Sequence, residues 1–473
     1  MSSGRWSNLR PCINRALGKP RGGAVLAGLV VLCGLTLVLG FANKHRCTGP
    51  EFDEQGRSTP GYAERNYSDA CYSDIQFLWL GRDIDQHTFP YVDGGLEEGQ
   101  LVGGALEYPV LTGVLVWAGA YFADTDAGFL LGSALLLAPF GLLTAWLLGR
   151  MAGWRALLWA LGPPLVLYAF HNWELPVVAA TVAAFAVLHL GRGTLRRRAQ
   201  WAAVLLGLGF ALKIYPAIFV LPLALYVLTG GDEGRHGRDP RGALRVCGVA
   251  IGTALAVNLP FMLAGWDGWL ASYLFQADRD VDATTNSIWY WGFRPESDTE
   301  GFQSLVGVLS PLLVLASFAV AAWFGWRRYR LTGTYPMLAV SAAMLCGFLL
   351  LHKVHSPQYT LWLLPMFVLL RVRWGWILAY FVADLAMGIG IFRWYGELGD
   401  GGAIYEGFAA QAVMIGVWGR AALLAGLFVA FLNADTADTA RPSHARPSHD
   451  RRTHDRRKSV EPQTSTSPPP HRA

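Results

Sequence analysis

Charge-free apolar runs, each about as long as a bilayer is thick, recur along the whole chain and constrain it more than any other feature. Residues 22–42 and 128–148 contain no charged side chain, which meets the ~20 apolar residues a transmembrane helix needs. Further apolar blocks lie at 154–170, 175–190, 201–212, 214–228, 244–264, 302–326, 336–351, 359–370, 374–391 and 407–432. No soluble core requires such repetition. With 53% of residues hydrophobic and 15% charged, against ~25% charged in ordinary soluble domains, the composition agrees. An all-α polytopic membrane protein is expected, with no nucleic acid among its partners.

Charge sets the expected topology. The N-terminus, 1–21, carries Arg5, Arg10, Arg15, Lys19 and Arg21 and no acid, so it is placed in the cytoplasm. A cleaved signal peptide is the rival reading, with Gly40-Phe41-Ala42 as its cleavage site, but the apolar run exceeds the ~7–15 residues of a signal h-region. Residues 43–104 hold 5 basic and 11 acidic side chains, and 265–301 hold 2 and 7, so both are read as outer loops. The arginines at 192–198, 235–245, 327–330 and 371–373 are read as cytoplasmic. The alternation works with twelve spans if the apolar segment 108–122 does not cross. That segment is expected to be an interfacial or re-entrant helix at the end of a long first outer loop, 43–126. The block 201–228 is split at Lys213, which then touches the outer face. The membrane domain is bounded at 22–432. The tail 433–473, with its echo of Arg441-Pro442-Ser443-His444-Ala445 in Arg446-Pro447-Ser448-His449-Asp450, has nothing apolar to bury and is expected to be a disordered cytoplasmic extension. Cys47 and Cys71 fall together in the first outer loop, where a disulfide persists if formed, although sequence leaves the pairing open.

The outer segments share one chemical character. The first loop contains Tyr72-Ser73-Asp74-Ile75, then Arg82-Asp83-Ile84-Asp85, and ends in Glu107-Tyr108-Pro109. His171-Asn172-Trp173-Glu174 forms a short connection, Lys213 caps a span, and His352-Lys353-Val354-His355-Ser356-Pro357-Gln358-Tyr359 opens another segment. Carboxylates, cations and aromatic rings on one membrane face suit glycosyl transfer from a lipid phosphate. A carboxylate accepts the acceptor hydroxyl proton, cations stabilise the departing phosphate, and rings pack on the sugar. Duller roles stay open for each. Asp74 can solvate a loop, Lys213 can snorkel, and the 352–355 cluster can decorate a turn. Asp384 lies mid-span, where it is costly unless hydrogen-bonded inside the bundle. Asp83-Ile84-Asp85 has the form of a D-x-D metal motif, a pattern short enough to arise by chance.

These segments, with Pro90-Tyr91, Glu107-Tyr108-Pro109-Val110-Leu111-Thr112-Gly113, Gly209-Phe210-Ala211-Leu212-Lys213-Ile214-Tyr215-Pro216, Asn258-Leu259-Pro260-Phe261 and Lys353-Val354-His355-Ser356-Pro357-Gln358-Tyr359, resemble glycosyltransferase family 87, in order from Tyr72 to Pro365. The resemblance implies a GT-C fold, no cofactor or metal, and a polyprenyl-phosphate sugar donor, with a glycolipid or polysaccharide acceptor and surrounding membrane lipids as partners. It maps the family's first-loop base onto Asp74. Lys213, Lys353 and His355 then become candidates for the donor phosphate. Tyr72, Asp83, Glu107, Tyr108, Asn172, Trp173, Glu174 and Gln358 become candidates for sugar and acceptor contacts. His171-Asn172-Trp173-Glu174 departs from the Gly-Gln-type motif of many relatives. The expected activity is that of an inverting hexosyltransferase, a mannosyltransferase, acting at the outer face of the plasma membrane. An arabinofuranosyl transferase and a lipid or solute transporter are the alternatives.

Overall fold

The computed structural model describes residues 22–231, 238–399, 401 and 406–437. The basic segment 1–21, Arg235, and the tail beyond 437 lie outside them. The described residues form a helical bundle whose only sheets are two short hairpins, β1 Glu51–Phe52 with β2 Ser58–Thr59 and β3 Gly95–Glu97 with β4 Gln100–Val102. The helices are α1 Gly23–His45, α2 Tyr62–Ser68, α3 Asp74–Gly81, α4 Val110–Ala120, α5 Asp126–Ala152, α6 Leu157–Ala160, α7 Pro163–Tyr168, α8 Glu174–Leu190, α9 Leu195–Leu212, α10 Val220–Leu228, α11 Pro240–Ala264, α12 Trp266–Asp278, α13 Ile288–Gly292, α14 Glu300–Thr332, α15 Met337–Leu351, α16 Thr360–Leu369, α17 Trp374–Gly399 and α18 Phe408–Leu432.

Among the described residues six helices are long and apolar enough to cross a membrane: α1, α5 with its continuation to Ala160, α11, α14, α17 and α18. The remaining apolar blocks form shorter helices, so length and composition alone do not reach a count of twelve. Block 154–170 is not one helix. Gly162-Pro163-Pro164 breaks it into α6 and α7, because Pro lacks the donor and clashes in a helix interior. At this break the Ala160 carbonyl accepts from the Thr36 hydroxyl at 2.7 Å.

Burial sorts the helices into an inner and an outer set. α8, α15 and α16 are apolar on every side and almost wholly buried, as expected for helices at the centre of a bundle. By contrast, α1, α11 and α14 turn Val31, Leu35, Leu255, Leu263, Val308 and Leu315 outward, the arrangement of a lipid-facing shell. Starts of helices at the bundle ends are capped by polar side chains. Thr125, Thr194, Asp239 and Thr299 each accept from a backbone N–H of the first turn, which satisfies otherwise orphaned donors.

The two ends of the bundle differ in chemistry. At one end Arg196 pairs with Asp239 at 2.6 Å, Arg328 pairs with Asp435 at 3.0 Å, and Arg155 donates to the Val368 and Leu370 carbonyls. The other end carries the segment 46–109 and the turns at 171–173 and 213–214. The chain reverses at Lys213, since Gly231 beyond α10 lies against Leu195 at the start of α9. Helix α4 has 11 residues, or roughly 16 Å at 1.5 Å per residue, about half the ~30 Å of a bilayer's hydrocarbon core. Both of its ends meet the same end of the bundle: Thr112 donates to the Leu212 carbonyl, and Asp126, just beyond it, accepts from Arg57 and Ser58. Segment 46–109 is stapled by a disulfide between Cys47 and Cys71.

Candidate active site

The site begins where α3 starts. Ser73 is extended and its hydroxyl donates to the Phe170 carbonyl at 2.7 Å. The Asp74 N–H donates to the His171 carbonyl at 2.8 Å. These two bonds dock the first loop onto the 170–173 turn and hold the Asp74 carboxylate over it, with its side chain 22% exposed. The rest of α3 is the reason this docking holds: Ile75, Leu78 and Trp79 are buried in the apolar core.

Three further segments converge on that carboxylate. Asn172 Nδ2 donates to Asp74 Oδ2 at 2.7 Å and to the Tyr108 hydroxyl at 2.9 Å. The Asn172 Oδ1 accepts from Lys213 Nζ at 3.2 Å. Asn172 therefore bridges the carboxylate of one loop to the ammonium of another. Lys213 also pairs with Glu174, whose second oxygen accepts from Trp362 Nε1 at 2.5 Å. Glu174 is fully buried and Lys213 is only 10% exposed, a setting in which an unpaired charge is strongly unfavourable. Rings enclose the pair. Lys213 Nζ lies 5.3 Å from the Tyr108 ring centre and 5.9 Å from that of Tyr359, and Trp362 is stacked between Tyr359 at 3.9 Å and Tyr215 at 4.1 Å.

His171 completes the surround of Asp74, with Nε2 at 3.8 Å from Oδ2. Burial pushes its imidazole down to about 4, against the pull of the Asp74 charge, so it is neutral at ordinary pH. Burial and the neighbouring Asp74 carboxylate raise the Tyr72 phenol well above its usual range. Lys44, at the end of α1, donates to the Tyr72 carbonyl at 2.6 Å and places a buried amine behind the loop. Neither His171 nor Lys44 stood out in the sequence, although the departure His171-Asn172-Trp173-Glu174 pointed to the right turn.

Of the other expected residues, some are paired away from Asp74, while His355 and Gln358 keep an unpartnered polar atom. Trp173 is buried against Tyr108 and Phe129 and acts as packing for the turn. Glu107 pairs with Arg82 at 2.8 Å. Asp83 is exposed with a positive φ of 53°, and Asp85 accepts from Gln86. Lys353 donates to the Ala277 carbonyl at 3.0 Å, and burial lowers its ammonium below the usual range. His355 is buried, bound through Nδ1 to the Leu349 carbonyl at 2.8 Å, with Nε2 unpartnered. It shares a small cavity with Arg420 and Asn286, and its ring lies 5.9 Å from that of Tyr359, the same ring that Lys213 approaches. Gln358 is buried with its Oε1 unpartnered. Asp384, the mid-span acid, accepts from Thr360 at 2.5 Å and faces Arg420 at 3.4 Å. Among the described residues no group of three or more His, Cys, Asp or Glu is placed to hold a metal ion.

A polytopic helical membrane fold thus gathers a carboxylate, an ammonium and a ring-lined recess at one end. The profile of glycosyltransferase family 87 matches residues 106–357, more than half of the chain, and the protein belongs to that family. The chain is also similar to the catalytic subunit of GPI alpha-1,4-mannosyltransferase I from Danio rerio, 26% identical over 321 residues, covering 64% of this chain and 76% of the relative. Among solved structures it is similar to ArnT from Cupriavidus metallidurans bound to undecaprenyl phosphate, with TM-score 0.41, 16% identity and coverage of 86% and 77% of the two chains. It is also similar to the Archaeoglobus fulgidus oligosaccharyltransferase in its apo form, with TM-score 0.38, 14% identity and coverage of 85% and 56%.

Proposed function

We propose that this enzyme moves mannose, with inversion, from a polyprenyl-phosphate donor to a lipid-linked or cell-envelope glycan on the outer face of the membrane. The observation that carries the reading is the Asp74–Asn172–Lys213 bridge. It holds a base and a cation at fixed separation on opposite sides of one amide. The acceptor hydroxyl attacks the anomeric carbon, its proton passes to Asp74, and the bond from that carbon to the phosphate oxygen breaks with its electron pair leaving on the phosphate. A lipid phosphate is a good leaving group, so one base with cationic support suffices. Lys213 has three N–H donors. Asn172 and Glu174 take two, which leaves one for a phosphate oxygen. The site needs no cofactor beyond its lipid-linked co-substrate. His355 and Lys353 stand as the further phosphate contacts. Tyr72, Tyr108, Asn172 and Gln358 stand as the sugar contacts. Acidic loops at the site end and arginine clusters at the other favour placing the site outside, and the mannosyltransferase relative favours mannose over arabinofuranose.

The test is purified protein in lipid nanodiscs with labelled polyprenyl-phosphate mannose or polyprenyl-phosphate arabinose and an extracted lipid pool. Transfer of mannose to a glycolipid is expected. Transfer from the arabinose donor alone reassigns the sugar, and no transfer from either removes the enzyme reading.

A further inference from the structure

Beside Asp74 the first loop encloses a cavity of about 140 Å³, lined by Arg57, Tyr62, Asn66, Tyr67, Tyr72 and Phe77. Helix α2 supplies Tyr62 with Asn66 and Ala63 with Tyr67, each pair at the i, i+4 spacing that makes helical neighbours. The start of α3 supplies Tyr72 and Phe77, and the Cys47–Cys71 disulfide ties the connection between the two helices back to α1. Tyr67 and Tyr72 are stacked, with centroids 5.7 Å apart and planes 10° apart. Tyr72 is backed in turn by Phe392 at 4.9 Å.

Two features restrict what fits. The guanidinium of Arg57 is already committed: it donates to the Gln76 carbonyl at 2.6 Å, to Asp126 at 3.1 Å and to the Phe77 carbonyl at 3.1 Å, while lying 4.4 Å over the Tyr62 ring. With its charge balanced by Asp126, the cavity is not built for an anion. The Tyr62 hydroxyl, conversely, is buried without a hydrogen-bond partner, an unfavourable state for a polar group. Aromatic faces with one unused polar group match a neutral sugar, whose C–H face packs on rings and whose rim hydroxyls need partners. The Tyr72 ring walls the cavity and lies 5.6 Å from the ring of His171, whose Nε2 is 3.8 Å from Asp74, so one side chain leads from the cavity toward the base.

We propose that this cavity is an acceptor subsite, holding one neutral pyranose unit of the acceptor glycan and presenting its hydroxyl to Asp74. The proposal rests on the transferase reading above. In the reaction the hydroxyl oxygen bonds to the donor's anomeric carbon, the carbon–phosphate oxygen bond breaks, and the proton goes to Asp74.

Saturation-transfer NMR on the full-length protein in nanodiscs tests it, with methyl α-D-mannopyranoside as probe and inorganic phosphate as competitor. Transfer to the glycoside is expected in the wild type, lost in Ala63→Trp, which fills the cavity from its exposed rim, and weakened in the conservative Tyr62→Phe. In turnover assays the acceptor KM should rise roughly tenfold in Ala63→Trp, about the worth of one good contact. Glycoside signal unchanged in both variants, or competed away by phosphate, overturns the subsite. So does a fall in kcat with acceptor KM unchanged. A wild type that transfers no sugar is a failure of the transferase reading, and the binding arm then decides the cavity by itself.

Discussion

Replacing Asp74 by Asn isolates the basicity of one carboxylate. The backbone anchor to the His171 carbonyl at 2.8 Å does not involve the side chain. The new amide oxygen can accept from Asn172, as Oδ2 does now at 2.7 Å. Since the side chain is 22% exposed, the variant should lie within ~0.5 kcal/mol of wild-type stability. What disappears is the proton acceptor, worth ~10²–10⁴-fold in rate, which is about 3–5 kcal/mol of barrier. The measurement is single-turnover transfer from labelled polyprenyl-phosphate mannose, alongside donor affinity and thermal unfolding. The expected result is a rate loss of at least roughly a hundredfold with near-native folding. The exposed Asp83→Asn should change the rate by less than about threefold, within the range of an unpaired surface substitution. A rate for Asp74→Asn within tenfold of wild type, in folded protein, would refute the assignment and direct attention to Asp69 or Glu107.

Glu174→Gln leaves Lys213 charged in a buried recess and should destabilise the protein by about 3–5 kcal/mol, whereas Glu174→Gln with Lys213→Met should recover part of that loss. A double variant less stable than the single one, by denaturant unfolding in detergent, would show that the pair is not coupled. His171 is neutral when folded, with a pKa near 4 against 6.5 unfolded. Only the unfolded chain therefore takes up the proton between those values, so stability should fall by up to about 3 kcal/mol as pH drops through that window. His171→Gln should flatten that slope in an acid titration, and an unchanged slope counts against the buried neutral imidazole. Glu54→Cys and Asp124→Cys, at exposed positions flanking α4, should both label with an impermeant thiol reagent from one side of the membrane and Arg196→Cys from the other. Labelling of Glu54→Cys and Asp124→Cys from opposite sides would mean that α4 crosses.

Hydropathy and charge are local, additive properties, so the sequence by itself determined what depends on them: a polytopic helical chain, its apolar blocks, the long acidic first loop and the reversal at Lys213. The motifs determined the family as well, because their order along the chain survives without any coordinates. Tertiary structure alone decided which polar groups meet. Asp74 and Asn172 are 98 positions apart and Glu174 and Trp362 are 188 apart, and no periodicity encodes which loops dock. Packing turned Lys213 from an apparent interfacial cation into the partner of Glu174, buried Lys44 behind Tyr72, and paired mid-span Asp384 with Arg420. Cys47 and Cys71 were legible as candidates but bond only because α1 and the end of α2 bring them together. Burial makes such pairings obligatory, since a charge or donor removed from water must find a partner, and which partner it finds is set by helix packing rather than by neighbours in sequence.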